Sequence, residues 1–132
     1  MTPLLTLSGP TSFEPIIYAA INVVKEEGGY HILVIVCDGQ VVNERVTRDA
    51  IVEASNYPLS IITIGVGDGP WELMREFDDQ LPARKFDNFQ FVEWHDIVSR
   101  ASSCKNPEAA IATAILQEIP DQYKIIRSLD ML

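Results

Sequence analysis

Asp38 follows directly on an unbroken apolar run, Tyr30 to Cys37 (YHILVIVC). An ionised carboxylate there is costly unless a cation or hydrogen-bond donors meet it. It suits a metal ligand, a catalytic acid, or an aspartate capping the Asp38–Gly39 turn, and the last needs nothing else from the chain. Gly65, Gly67 and Gly69 form a second candidate. A dinucleotide fingerprint needs its third glycine one position later, where Pro70 stands, and no acidic residue is placed to hold a ribose. A tight strand-to-helix turn is the better reading. His31 and His95 have no cysteine or second histidine at metal-ligand spacing and read as structural or exposed. Cys37 adjoins Asp38, but a buried thiol beside a carboxylate resists ionisation and makes a poor nucleophile. No G-x-S-x-G elbow, Walker loop or H-E-x-x-H is present, so nothing supports hydrolysis or phosphoryl transfer. A small enzyme using Asp38 as acid or base remains a minor alternative.

The elements that must position these residues alternate. Ile16, Ile17, Ala20, Ile21 and Val24 form a helical stripe over about 13–27. Thr11 or Ser12 is placed to cap it, Glu14 and Pro15 suit its first turn, and Gly28–Gly29 suits its end. Residues 30–37 predict a strand covered on both faces, as in a parallel sheet. Thr47 to Asn56 predicts a helix with Thr47 as N-cap, broken by Pro58. Leu59 to Gly65 predicts a second buried strand, about 71–79 a short helix, and Phe89 to Val92 a third strand nearer an edge. Asp96 to Arg100 reads as a helical turn. Pro107 to Ile119 predicts the last strong helix, ended or kinked by Pro120. The tail through Ile125, Ile126 and Leu129 fits a further helix or a frayed end. The expected class is a three-layer α/β fold, its sheet mostly parallel with helices on both faces. Ligands of such sheets bind beyond the carboxyl ends of the strands.

Composition bounds the function. The chain has 132 residues, 47% hydrophobic and 22% charged, and reads as one globular domain over 1–132. Lys plus Arg number 10 against 19 Asp plus Glu, a net charge of −9. That argues against nucleic acid as a partner and against simple adsorption to anionic lipid. Two cysteines, Cys37 and Cys104, are too few for a disulfide scaffold. No basic-then-apolar leader and no apolar run of about 20 residues is seen, so a reducing, cytoplasmic setting is expected. Phe86, Phe89, Phe91 and Trp94 around Asp87–Asn88 read as core and edge packing before a docking patch.

Several longer segments carry a family resemblance. They are Gly9-Pro10-Thr11-Ser12-Phe13-Glu14-Pro15-Ile16-Ile17, Ile35-Val36-Cys37-Asp38-Gly39, and Tyr57-Pro58-Leu59-Ser60-Ile61 running into Gly65-Val66-Gly67-Asp68-Gly69-Pro70-Trp71. Phe86-Asp87-Asn88-Phe89-Gln90-Phe91-Val92 and Glu118-Ile119-Pro120-Asp121-Gln122-Tyr123 join them. Together they resemble the copine family, whose domain is a von Willebrand factor A-type module of Rossmann-type topology. The form is similar to the copine-like domain of plant RING-type ubiquitin ligases.

The resemblance implies a metal-ion-dependent adhesion site, with Thr11 as its loop threonine and Asp38 as its strand-end aspartate. Hydroxyl and carboxylate oxygens suit Mg²⁺, Mn²⁺ or Ca²⁺. The family's D-x-S-x-S motif is absent, so weak cation binding is expected. The match begins where the second half of such a domain begins, which implies an incomplete fold lacking its N-terminal part. The strand at 30–37 would then have an open edge, prone to self-association or to recruiting a partner. The implied function is a non-enzymatic protein-interaction module acting with divalent-cation help, in a family linked to calcium-dependent phospholipid binding. Any membrane recruitment would need domains this chain lacks. The alternative is the substrate-recruiting domain of a RING-type E3 ubiquitin ligase, whose zinc-binding cysteines the chain does not supply.

Overall fold

The apolar run that opens the argument forms a strand, and the segment before it forms a helix packed against it. A computed structural model describes residues 13–37, 44–67, 84 and 86–132. The first helix, α1, is Glu14–Glu27, with Ile17, Ile21 and Val24 buried one helical turn apart. Phe13 occupies its N-cap and makes no side-chain capping bond, while Pro15 sits in the first turn. The expected caps, Thr11 and Ser12, lie outside the described residues. Gly28 and Gly29 have φ of 69° and 81°, and the Gly28 N–H donates to Val24 O at 2.8 Å. A side chain rarely adopts that backbone, so the glycine pair is what lets the chain reverse into the strand.

Strand β1 is His31–Cys37. Helix α2 is Glu44–Ala54, strand β2 is Leu59–Gly65, and strand β3 is Phe89–Glu93. Three helices follow: α3 at Trp94–Ala101, α4 at Pro107–Ile115 and α5 at Ile119–Ser128. The strands lie in the order β1-β2-β3, parallel throughout. Leu33 pairs with Ile61 and Ile61 with Phe89, so odd-numbered residues share one face and even-numbered residues the other.

The odd face carries the main core. Leu33, Ile35, Cys37, Leu59, Ile61 and Phe89 meet Phe13 and the buried stripes of α1 and α2, the latter being Ala50, Ile51 and Ala54. The even face is covered from the other side. Gln90 Nε2 donates to the Ala114 carbonyl of α4 at 3.0 Å, and the Ser60 hydroxyl donates to Gln122 Oε1 of α5. Ile62, Val92 and Ile126 are buried in that layer. The three-layer parallel α/β class read from the sequence is therefore the observed one, consistent with part of a von Willebrand factor A-like fold.

Several local expectations are corrected. Helix α2 begins three residues before Thr47, which lies inside it with a buried side chain and is no N-cap. Helix α4 stops at Ile115, and Pro120 stands in the first turn of α5. A proline costs no hydrogen bond there, so it starts a helix instead of ending one. The tail is helical through Ser128. Asn106 caps α4, its side chain accepting from the Ala109 N–H at 3.2 Å. The predicted helix at 71–79 falls outside the described residues. Of the aromatic cluster, Phe86 and Phe89 are core, Phe91 is half-buried, and Trp94 is exposed.

A buried polar clamp holds β3 in place. Asn88 is fully buried; its Nδ2 donates to the Ile51 carbonyl of α2 at 2.9 Å, and its Oδ1 accepts from Arg84 Nε at 2.9 Å. Its own carbonyl accepts from the Ile61 N–H at 2.8 Å. Removing the side chain strands the Arg84 donor in a half-buried place. Asn88→Ala is expected to cost about 2 kcal/mol, and Ile61→Ala about 3–4 kcal/mol through its cavity. Urea unfolding midpoints of the two variants against wild type check both figures and their order.

Candidate functional site

The three strands end level with one another. Cys37 pairs with Gly65 and Gly65 with Glu93, so their carboxyl ends form one edge. The Val66 N–H donates to Cys37 O at 2.8 Å and ties the first two ends together. Gly67 has a φ of 85°, which supports the tight-turn reading of the glycine series. Helix α1 returns to the same edge. Its 14 residues span about 21 Å and the seven of β1 about 23 Å, and the glycine turn folds them antiparallel into one core. The start of α1 at Phe13 and the end of β1 at Cys37 thus lie at one end of the sheet.

Thr11 and Asp38, the metal ligands implied by the resemblance, lie outside the described residues, as do Asp68 to Pro70. What the structure describes are their neighbours, Phe13 and Cys37, both buried. The hydroxyls of Thr47 and Thr63 are buried and have no hydrogen-bond partner among the described residues. Also among the described residues, no three His, Cys, Asp or Glu side chains gather as a metal-holding group. His31 bridges the helix–strand junction, with Nε2 3.4 Å from Glu27 Oε2 and Nδ1 3.3 Å from Gly29 O. His95 is exposed. Both therefore read as structural or surface groups. The Cys37 thiol is buried and the Cys104 thiol exposed.

A polar network that the sequence pattern did not reveal lies at the opposite end of the even face. The Ser60 hydroxyl donates to Gln122 Oε1 and also lies within hydrogen-bond distance, 2.6 Å, of the Tyr30 phenol oxygen. Gln122 is buried, and its Nε2 has no partner among the described residues. The Tyr30 ring meets the Tyr123 ring edge-on at 5.5 Å. The sequence reading placed Ser60 in a buried strand and Gln122 near the tail without joining them. The one available signal was that a serine inside a doubly covered strand needs a partner. Between α3 and α4 lies a shallow cavity of about 180 Å³ lined by Ile97, Ala101, Cys104, Ala110 and Ala114, with Arg100 and Gln117 at its polar side. Arg100 is already paired with Asp96 at 2.6 Å. No helix among the described residues is long and apolar enough to cross a membrane.

The fold and this edge define the class: a parallel α/β domain whose strands end together at one edge. The sequence-family model described as Copine matches residues 1–132, and the chain belongs to the copine family. Copine family protein 1 of Caenorhabditis elegans is 53% identical over 132 residues, which is all of this chain and 12% of that protein. E3 ubiquitin-protein ligase RGLG5 of Arabidopsis thaliana is 52% identical over 145 residues, covering all of this chain and 34% of the ligase. E3 ubiquitin-protein ligase RGLG3 of the same plant is 50% identical over 143 residues, covering 98% of this chain and 39% of the ligase. The chain thus spans about a third of the plant relatives it matches and far less of the worm one. The expectation of a non-enzymatic chain is overturned by this finding. Relatives of about 50% identity across the chain are named as E3 ubiquitin-protein ligases, and ligases are enzymes.

Burial pushes the Tyr30 phenol above its ordinary pKa, and the hydrogen bond with Ser60 works in the other direction. A raised pKa means the folded state holds the proton more tightly than the unfolded state. Tyr30 therefore contributes stability that is fully present below its unfolded value of about 10 and is lost as pH rises through the folded one. Wild type is expected to lose stability more steeply than Tyr30→Phe between pH 9.5 and 11. Urea unfolding across that range, with phenolate absorbance at 295 nm, checks it; parallel curves would refute it.

Proposed function

We propose that this domain binds partner proteins with the help of a divalent cation, Mg²⁺, Mn²⁺ or Ca²⁺, for which Thr11 and Asp38 are ligands. The observation that supports it is the antiparallel packing of α1 on β1, with Phe13 and Cys37 at the same end of the sheet. Thr11 stands two residues before Phe13, and Asp38 one after Cys37. A hydroxyl and a carboxylate are the hard oxygen donors these cations prefer. When bound, such a cation supplies an open coordination position for a partner's carboxylate. Two side-chain donors are few for a six-coordinate ion, so weak affinity belongs to the proposal. A cytoplasmic location goes with it, where thiols such as Cys104 stay reduced.

A second reading is favoured by the plant relatives and their printed names: a substrate-recruiting domain of an E3 ubiquitin ligase. Two cysteines, one of them buried, do not furnish a cysteine-rich zinc module. Both readings give this chain a protein-binding role.

The cation proposal is tested by calorimetric titration with Mg²⁺, Mn²⁺ and Ca²⁺. Asp38→Ala is expected to lower binding more than Thr11→Ala, because it removes a formal charge as well as a donor. Equal binding by wild type and both variants would refute the assignment.

A further inference from the structure

A threonine inside a helix ordinarily turns its hydroxyl to a carbonyl one turn back, and a threonine in a buried strand takes a partner from another element. Thr47 and Thr63 are both fully buried, and neither hydroxyl has a partner among the described residues. Thr63 stands on the odd face of β2, paired with Ile35 on one side and Phe91 on the other. Thr47 belongs to the inward stripe of α2, with Ala50, Ile51 and Ala54, all fully buried.

Asn88 fixes the height of one threonine against the other. Its Nδ2 donates to the Ile51 carbonyl and its own carbonyl accepts from the Ile61 N–H, so Ile51 and Ile61 are held at one level. Helix α2 connects two parallel strands and therefore runs antiparallel to β2. Thr47, four residues before Ile51, lies about 6 Å from that level toward the carboxyl ends of the strands. Thr63, two residues after Ile61, lies about 6.6 Å from it in the same direction. The two hydroxyl-bearing residues thus stand at one height, each on the buried face of its element.

We infer that Thr47 and Thr63 form a binding site for one internal water molecule, which bridges the two hydroxyls and ties α2 to β2. Each hydroxyl both donates and accepts, as water does, and two partners fall within the two to four that a buried water takes. An apolar ligand would leave both hydroxyls unpaired. An ion is not accommodated, because the groups that flank the pair by strand pairing and by helical turn are Ile35, Phe91 and Ile51. Hydroxyl oxygens about 4.5–5.5 Å apart take such a water at about 2.8 Å from each. The bridge holds the first half of α2 on the sheet, as Asn88 holds the second half, and it depends on neither the cation nor the partner proposed above.

The test is NMR of the whole chain with methyl-labelled threonine, run in EDTA. Nuclear Overhauser transfer from a long-lived water is expected at both the Thr47 and the Thr63 methyl groups. In Thr63→Val the signal at Thr47 is expected to vanish, and in Thr47→Val the signal at Thr63; Thr63→Ser keeps its hydroxyl and is expected to keep the signal at Thr47. Urea unfolding gives the second reading. Each valine variant is expected to lower the folding equilibrium constant about tenfold. The double variant is expected to lower it by about tenfold too, not about a hundredfold, because either change alone already breaks the bridge. No long-lived water signal at the two methyls of wild type overturns the proposal, as does a Thr47 signal that persists in Thr63→Val, or losses that add. Coupled losses without the water signal mean a direct hydroxyl–hydroxyl bond and overturn it equally. The wild-type spectrum and the serine variant decide the question even where a valine variant fails to fold.

Discussion

A strand that is apolar on both faces must be covered on both, and this requirement organises the molecule. Strand β2 meets it fully: Leu59 and Ile61 face α1 and α2, while Ser60 and Ile62 face the α4–α5 layer. Each buried aliphatic side chain of this kind contributes about 1.5–3 kcal/mol, which makes the central strand the anchor of the sheet. Strand β1 meets it on one side alone. The same sequence character therefore gives a core on one face and exposed aliphatic side chains on the other, and the difference lies in where the described helix layer ends.

Polar groups set the registry that apolar burial leaves loose. Apolar contacts are nearly indifferent to a small slide of one layer over another, whereas a buried hydrogen bond is not. Asn88 joins β3 to α2, Ser60 joins β2 to α5, and Gln90 joins β3 to α4. Each ties a strand to the helix over it, so both helix layers have a fixed position on the sheet. The buried Gln122 amide nitrogen, without a described partner, marks the place where that fixing is least complete.

The carboxyl ends of the strands and the start of α1 gather at one edge for one structural reason. Parallel strands all end on the same side, so their loops collect there, and the glycine reversal between α1 and β1 adds the start of α1 to that edge. Membership of the copine family gives this edge its interest, and the plant ligases among the relatives connect such domains with enzymes of a quite different size. The bare face of β1 lies away from that edge, along the length of the strand.

Much of the fold was legible locally. The β-branched run 31–37, the run 59–65 and the glycine pair at 28–29 carry their conformations in their own chemistry, and α1, β1 and β2 stand where periodicity puts them. Family membership was legible too, because long motifs such as Phe86 to Val92 are specific as sequence. Ends and partners were not. Thr47 looked like a cap because the earlier start of α2 depends on packing, and Pro120 looked like a terminator because local rules cannot tell a first turn from an interior. For Thr11 and Asp38 the sequence proposed a role, and the described structure supplies only the ends of the elements beside them. The tertiary structure alone decided that Ser60 and Gln122 meet across 62 positions and that Ile32, Val34 and Val36 stay exposed. Hydrophobic pattern states that a face is to be covered; only the placement of distant helices determines what covers it.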